Sequence, residues 1–247
     1  MTLGNAPRVA GAGDELRDTL QRGDLNPVGR IRSASNATFL CEATLGETTL
    51  SCVYKPVAGE QPLWDFPDGT LAGRELGAYL ISVALGWDIV PHTIVREGPA
   101  GVGMVQMWVE QPEQPEDAGL VDLLPGDAVP AGYLSIITAY DYSGVEVTLV
   151  HADDPQLRRM ALFDVVVNNA DRKGGHILTG ADGRVYGVDH GLALHAHDKL
   201  RTVLWGWAGQ TIDEHDVAAL ADLDKQLAGK LGTRLRTHIT GAEVDAL

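Results

Sequence analysis

The chain has 247 residues, 45% of them hydrophobic and 21% charged, a composition typical of a folded globular protein. Its 19 Lys and Arg against 34 Asp and Glu leave a formal net charge of −15, which disfavours nucleic acid and anionic membranes as partners because both attract basic surfaces. The chain has no long apolar run, no secretion-signal pattern and only two cysteines, so we expect a cytoplasmic protein without membrane insertion or a disulfide framework.

The N-terminal part of the chain is predicted to be rich in β structure. Leu16 and Leu20 stand at helical spacing and predict a short first helix over residues 13–24. Residues 37–55 predict a hairpin, because two segments with β-branched and alternating apolar residues flank a turn at Gly46–Glu47.

A two-residue turn determines which residues face each other across this hairpin. Leu40 then lies opposite Val53, and Cys41 lies opposite Cys52. Because side chains alternate along a strand, Leu40, Val53 and Lys55 share one face and the cysteines share the other. We expect both cysteines to be free thiols that act as small apolar core residues.

The next elements are a helix and two strands. Residues 71–86 predict a helix that ends at Gly86. Residues 92–95 and 104–110 predict strands, and the Pro-rich acidic stretch 111–117 is a candidate lobe boundary. The apolar stripe of the helix comprises Leu76, Tyr79, Leu80 and Val83.

Residues 118–247 are predicted to be dominated by helices. We expect a helix over 132–140, and a second one that starts with Asp154 as N-cap and Pro155 at its first position. Two short strands joined by a turn follow, and the C-terminal stretch reads as mostly helical. It is expected to include a capping box formed by Thr240 and Glu243.

Charged residues at the ends of apolar elements point to the chemistry. Lys55 ends the strand VYKP, Asp171 follows an apolar helix, and Asp189 ends the strand in YGVDHG. Each alone is most often a surface charge. Together with Glu75 on the intervening helix, their order is that of a phosphotransferase, in which a Lys contacts phosphates, a Glu holds the Lys, one Asp binds Mg²⁺ and another accepts a proton.

Three short motifs make the resemblance more specific. DRKGGHIL at 171–178 resembles the catalytic loop of the phosphatidylinositol 3- and 4-kinases, VDHG at 188–191 resembles their metal-binding motif, and VYKP resembles their lysine strand. The whole chain is also similar to an uncharacterised actinobacterial family described as distantly similar to those lipid kinases. The resemblance implies an α+β, bilobed protein-kinase-like fold. A small β-rich N-lobe with one main helix would span 1–110, a hinge 111–117, and a larger, mostly helical C-lobe 118–247.

The resemblance also implies a role for individual residues. Asp171 would be the catalytic base, and Asp189 would bind Mg²⁺ or Mn²⁺. Lys55 would contact the phosphates of ATP, with Glu75 as its partner. The other residues implied in nucleotide binding are Ser35 and Asn36 over the phosphates, Leu40 and Val53 over the adenine ring, and the backbone of Met107, Trp108, Val109 and Glu110.

Two departures from the family pattern leave alternatives open. The second metal ligand of the family is Asn, and His176 stands there; imidazole suits Mg²⁺ poorly. Either His176 bonds a phosphate or Asn168 or Asn169 substitutes, or the site is weakened. The phosphate loop also lacks a Gly-rich run. Three functions remain as hypotheses: an ATP-dependent phosphotransferase, a nucleotide-binding pseudokinase, or an AMP transferase on the same scaffold. A non-nucleotide metalloenzyme that uses the histidines is the least favoured alternative.

The acceptor is suggested only by where the charge lies. Residues 97–157 contain eleven acids and no Lys or Arg, and so carry most of the net charge of −15. This stretch is either a solvated acidic surface or a face that favours a neutral or cationic acceptor or partner. After His190, residues 191–209 include Lys199 and Arg201 as the only strong bases, which disfavours an anionic lipid acceptor.

Overall fold

The computed structural model describes residues 12–32, 34, 36–112, 119–126 and 129–247. These residues form a mixed structure of strands and helices, which confirms the predicted α+β class. They divide into two units, and the chain passes between the units after residues 61, 91 and 108. The first unit comprises 12–61 and 92–108, and the second comprises 62–91 and the described residues from 109 onward.

The first unit combines one helix with an antiparallel sheet. Among the described residues the sheet has five strands in the order β1-β2-β3-β5-β4. Helix α1 packs against β2, β3 and β4. The elements are α1 (Ala12–Arg22), β1 (Asp24–Arg30), β2 (Phe39–Leu45), β3 (Thr48–Pro56), β4 (Thr93–Gly98) and β5 (Gly101–Met107).

The register of the β2–β3 hairpin is the predicted one. Leu40 pairs with Val53 and Cys41 with Cys52, around a turn in which Gly46 has a φ of 62°. Both cysteines are free thiols and fully buried, as expected of core residues. The core of this unit also includes Leu20, Leu25, Ala43, Tyr54, Ile94 and Val105.

A tyrosine on β3 is packed against glycine backbone. The hydroxyl of Tyr54 donates to the Gly101 carbonyl over 2.6 Å. A Cβ at Gly103 would lie 2.6 Å from the Tyr54 ring and 2.5 Å from the Lys55 carbonyl oxygen. Only glycine therefore lets β5 approach β3 this closely.

The second unit holds the remaining elements. Helix α2 packs with α4 and α5, and an antiparallel sheet has the order β6-β8-β7. Strands β9 and β10 form a separate hairpin. The elements are α2 (Leu71–Leu85), β6 (Val121–Pro125), β7 (Tyr133–Tyr140), β8 (Glu146–Ala152), α3 (Pro155–Val166), β9 (Ile177–Thr179), β10 (Val185–Gly187), α4 (Glu214–Leu227), α5 (Lys230–Leu235) and α6 (Gly241–Asp245).

The helix ends follow the local sequence signals. Helix α2 ends at Gly86, which has a φ of 67°. Asp154 caps α3, with Pro155 at the first position, because its carboxylate accepts the N–H groups of residues 156 and 157. Thr240 and Glu243 form the capping box at α6. These three predictions are confirmed.

One prediction about secondary structure is wrong. Residues 133–140 form strand β7 and not a helix, because their Ile, Thr and Tyr side chains favour a strand when β8 is available for pairing. In α2, Val83 belongs to the predicted apolar stripe, and its side chain is 47% exposed. The described residues after 118 thus form five strands as well as helices.

The predicted lobe boundary falls partly outside the described residues. Of the hinge at 111–117, only residues 111 and 112 are described. Helix α2, which the sequence placed in the N-lobe, groups with the second unit. No helix in the described ranges is long and apolar enough to cross a membrane.

A buried arginine links α2 to the end of the chain. Arg74 is 1% exposed and forms an ion pair with Glu243 of α6. Its Nη1 also donates to the carbonyls of Ala193 and Leu194, and its Nη2 to that of Asp68, over 2.9–3.1 Å. The guanidinium also lies 4.9 Å from the centre of the Phe66 ring. The charge is therefore buried among partners that compensate it.

The first prediction concerns the two cysteines. Burial raises the pKa of Cys41 to about 11 and that of Cys52 to about 12, so thiolate is scarce at pH 8. We expect a thiol-specific disulfide reagent to modify neither cysteine of the native protein within minutes and both after unfolding in guanidinium. Rapid modification of the native protein at pH 8 would contradict the buried assignment.

The second prediction compares two ion pairs near the C-terminal helices. Arg74→Ala should lower the free energy of unfolding by about 3–5 kcal/mol, because Glu243 would stay buried without its cation. Arg236→Ala removes an exposed ion pair with Asp245 and should cost less than about 1 kcal/mol. Denaturant unfolding followed by circular dichroism measures both, and equal losses would argue against the burial of Arg74.

Candidate functional site

A buried ion pair organises the segment that follows α3. Arg172 and Asp164 both have completely buried side chains, and Nη2 of the arginine lies 3.0 Å from Oδ1 of the aspartate. The carboxylate also accepts hydrogen bonds from Asn169 Nδ2 and Thr202 Oγ1, each over 2.9 Å. A buried carboxylate is stable only when its oxygens are bonded in this way.

The rest of the Arg172 guanidinium contacts two backbone carbonyls and one imidazole. Its Nη1 donates to the carbonyls of His176 and Val188, each over 3.1 Å. Its Nη2 lies 2.6 Å from Nε2 of His190. Because a guanidinium only donates, Nε2 of His190 accepts, and this neutral ring carries its proton on Nδ1. One side chain thus positions the loops that carry Asp171 and Asp189.

The predicted base and the predicted metal ligand meet at His176. Nδ1 of His176 lies 3.1 Å from the Asp171 carbonyl oxygen, and Nε2 lies 3.3 Å from Oδ2 of Asp189. Lys173 Nζ lies 2.8 Å from Oδ2 of Asp171. The Asp171 side chain is 32% exposed and that of Asp189 is 49% exposed. Both carboxylates are therefore accessible to a small molecule.

The bond to Asp171 limits what the other nitrogen of His176 can do. A carbonyl oxygen only accepts, so Nδ1 is the donor. Nε2 then either carries a second proton and donates to Asp189, or turns a lone pair towards the carboxylate. The second arrangement needs a cation near both groups to be stable.

The two neighbouring asparagines are engaged in the fold. The side chain of Asn168 donates to the His195 and His197 carbonyls and accepts the Lys199 N–H. Asn169 donates to Asp164 and accepts the Asp171 N–H over 3.1 Å. These contacts disfavour the alternative in which Asn168 or Asn169 replaces the missing second ligand.

Asp189 has an unusual backbone conformation that is held from α2. Its φ is 60°, a left-handed conformation that Asp adopts more readily than most residues. The next residue, His190, donates its N–H to Oε2 of Glu75 over 3.0 Å. Glu75 is 1% exposed. The contact shows that Glu75 supports the turn that presents Asp189, whereas its predicted role as the partner of Lys55 stays a prediction.

Three of the residues predicted to bind nucleotide share one face of the sheet in the first unit. Leu40 pairs with Val53, and Lys55 is two residues further along β3, so the three lie on the same side. On β5, Gln106 pairs with Val53 and Met104 pairs with Lys55. The face that carries Lys55 is therefore the one opposite the α1-covered core.

Some of the backbone groups predicted to bind adenine form hydrogen bonds within their own unit. The N–H of Met107 donates to the His92 carbonyl and that of Trp108 to the Ser51 carbonyl. In the second unit, the Glu110 carbonyl accepts the Ala181 N–H, and Val109 is buried. Asn36 accepts the N–H of Gln61 through Oδ1, and Ser35 lies outside the described residues.

Mg²⁺ requires particular ligands in a phosphoryl-transfer site. In phosphoryl-transfer sites this ion binds one or two carboxylates and takes its other ligands from phosphates and water. Within the described part of the chain, no group of three or more His, Cys, Asp or Glu could hold a metal. Near Asp189 the protein offers one carboxylate with the imidazole of His176 beside it.

Sequence reasoning missed Asp164, Thr202 and the side-chain role of His190. Asp164 carried a signal, since it stands between Phe163 and Val165 in an otherwise apolar part of the helix. An acid there is either exposed or paired, and its partner Arg172 is eight residues later.

Comparison with known proteins gives one clear relationship. No family model matches the chain. Over 240 residues it is 61% identical to "Protein Rv2133c" of Mycobacterium tuberculosis (strain ATCC 25618 / H37Rv), an alignment that covers 95% of this chain and 86% of the relative. The relative agrees with the actinobacterial character expected from the sequence. Because the identity extends over nearly the whole length, the chain belongs to the family of the mycobacterial protein Rv2133c.

Proposed function

We propose that the chain is an ATP-dependent phosphotransferase with a bilobed protein-kinase-like fold, similar to the phosphatidylinositol 3- and 4-kinases. The observation that carries the proposal is the position of His176 in the second unit, between the backbone carbonyl of Asp171 and the carboxylate of Asp189. The shared sheet face of Lys55, Leu40 and Val53 in the first unit supports it further.

In this proposal Asp171 accepts the proton of the acceptor hydroxyl. Its backbone is fixed because its N–H donates to Asn169, and its carboxylate is held by Lys173. The Lys173 side chain is 63% exposed and can leave the carboxylate when an acceptor binds. A partly exposed carboxylate with an adjustable cation is suited to general-base work.

Two positive charges would hold the phosphates of the nucleotide. Lys55 contacts the phosphates as a point charge. Asp189, with His176 beside it, would hold Mg²⁺ or Mn²⁺, and such an ion would supply positive charge next to the phosphate oxygens. Glu75 keeps the Asp189 turn in place through the His190 N–H. The acceptor is not an anionic lipid in this proposal, because the acidic stretch would repel it.

One observation favours a second candidate, a nucleotide-binding pseudokinase or interaction module. The imidazole of His176 stands where the phosphatidylinositol 3- and 4-kinases have an amide ligand. Its Nε2 lies 3.3 Å from the Asp189 carboxylate. If that nitrogen is protonated, it competes with the metal ion for Asp189. The chain would then bind ATP without turning it over.

The third prediction tests the base. Asp171→Asn should lower Mg²⁺-dependent release or transfer of label from γ-labelled ATP about 100-fold or more, the range that loss of a general base causes. ATP affinity from calorimetry should change less than about threefold, because the amide keeps the shape of the carboxylate. The matched control is Asp224→Asn on α4, an exposed acid that should leave both quantities unchanged.

Two results would count against this assignment. Full activity in Asp171→Asn would remove Asp171 as the base. Label that follows α-labelled ATP onto the acceptor would replace phosphoryl transfer by AMP transfer on the same site.

The fourth prediction separates an active enzyme from a pseudokinase. In an active enzyme His176→Asn should lower Mg²⁺-dependent turnover, because the imidazole links the Asp171 carbonyl to Asp189. His215→Asn is the control, since its side chain is 81% exposed on α4. If turnover instead rises above that of the unmodified chain, the native site is attenuated and the pseudokinase is the better description.

A further inference from the structure

The second unit contains a cavity between α3 and the segment that precedes α4, which we call the α3 cavity. Its volume is about 150 Å³, and the described residues proposed above to bind nucleotide or metal lie outside its lining. The larger apolar side chains of its walls are Leu162, Val165, Leu204, Trp205, Trp207 and Ile212. Three of these, Val165, Trp205 and Ile212, are 47–55% exposed. A mostly apolar cavity with exposed apolar walls is a candidate site for a small ligand.

The walls of the α3 cavity are held in place by hydrogen bonds. Thr202 lines the cavity, donates to Oδ2 of Asp164 over 2.9 Å and accepts the Leu204 N–H over 3.1 Å. The indole N–H of Trp207 donates to Oδ1 of Asp153 over 2.9 Å. The cavity is therefore formed by the fold itself, as small-molecule sites usually are.

The volume and the walls together favour one aromatic ring. A cavity of about 150 Å³ with apolar walls can hold a molecule of the size of benzene. Trp205 and Trp207 line the space, and aromatic rings pack favourably against the faces and edges of such side chains. An aromatic ring therefore matches the cavity in both size and chemistry.

The lining also includes charged side chains of both signs. Nη2 of Arg158 donates to the Thr211 carbonyl over 2.7 Å, and a guanidinium has further N–H groups that can bind a carboxylate. Asp213 is exposed and stands at the N-cap of α4, but its carboxylate accepts no N–H of that helix. Asp at this position usually does accept one, so here the carboxylate stays available to a cation. Asp216 is compensated by Arg159, whose Nε lies 3.1 Å from its Oδ1.

We propose that the α3 cavity binds a free α-amino acid with an aromatic side chain. The ring would fill the apolar space beside Trp205, the carboxylate would bind Arg158 and the ammonium would bind Asp213. One small molecule can reach both charges, because Arg158 is bonded to Thr211, two residues before Asp213. A residue inside a peptide carries neither charge, and a simple amine or acid carries only one. This binding site does not depend on the proposed phosphotransferase activity.

The test compares three ligands that share a phenyl ring and a two-carbon chain. L-phenylalanine carries both charges, 2-phenylethylamine lacks the carboxylate, and 3-phenylpropanoate lacks the ammonium. Isothermal titration calorimetry on the full chain should show that L-phenylalanine binds about tenfold or more tightly than either analogue, because a hydrogen bond to a charged group is worth at least this factor.

Two variants assign each charge of the ligand to a side chain. Arg158→Gln should weaken L-phenylalanine about tenfold but should not weaken 2-phenylethylamine, which has no carboxylate to lose. Asp213→Asn should weaken L-phenylalanine about tenfold but should not weaken 3-phenylpropanoate, which has no ammonium. The matched controls are Arg236→Gln and Asp224→Asn, which change exposed residues outside the cavity and should bind like the unmodified chain.

A third variant tests the apolar wall. Trp205→Ala should weaken L-phenylalanine about tenfold or more, since buried aromatic contacts carry much of the energy of binding. Trp64→Ala is its control, because Trp64 is 92% exposed and lies outside the cavity lining. Circular dichroism checks the fold of each variant, and Ile212→Asn replaces Trp205→Ala if the latter is unfolded.

Three results would overturn the proposal. The first is that L-phenylalanine at millimolar concentration does not bind, and the second is that all three ligands bind equally well. The third is an unchanged affinity for L-phenylalanine in the folded Arg158, Asp213 or Trp205 variant.

Discussion

The buried ion pair between Arg172 and Asp164 is the interaction on which the candidate site depends. Both charges are withdrawn from water, which is costly unless every polar atom is bonded. Here the carboxylate receives bonds from an amide and a hydroxyl as well, and the guanidinium donates to two carbonyls and an imidazole. The same bonds that compensate the charge fix the backbone at residues 176 and 188 and the imidazole of His190. The ion pair and its hydrogen bonds therefore both stabilise the fold and position the residues around the candidate site.

The four acidic residues around the candidate site are of two kinds, buried and partly exposed. Asp164 and Glu75 are buried, and each is bonded to groups of the loops around the site. Asp171 and Asp189 keep about a third to a half of their side chains exposed. Buried carboxylates set the geometry, while exposed ones stay available to a ligand. The left-handed backbone at Asp189 fits this division, since such conformations persist where surrounding contacts enforce them.

Sequence reasoning succeeded where close neighbours decide the structure. The hairpin register followed from a two-residue turn, and it placed Lys55, Leu40 and Val53 on one face. Helix caps at Asp154 and Thr240 depend on residues two or three positions away. Sequence reasoning failed where distant residues determine the structure. Strand β7 forms because β8 pairs with it. The role of Asp164 becomes clear only with Thr202 and Arg172 beside it. The contact of Glu75 with His190, 115 positions later, is of the same kind.

The ion pair of Arg74 with Glu243 has a consequence for how the protein is made. The two residues are 169 positions apart, so the cation on α2 leaves the ribosome long before its anion is synthesised. Until then the helix around Arg74 carries a charge that cannot be buried without loss of free energy. The second unit must therefore complete its packing after translation has reached α6. During that interval its apolar surfaces are exposed to chaperones and to aggregation.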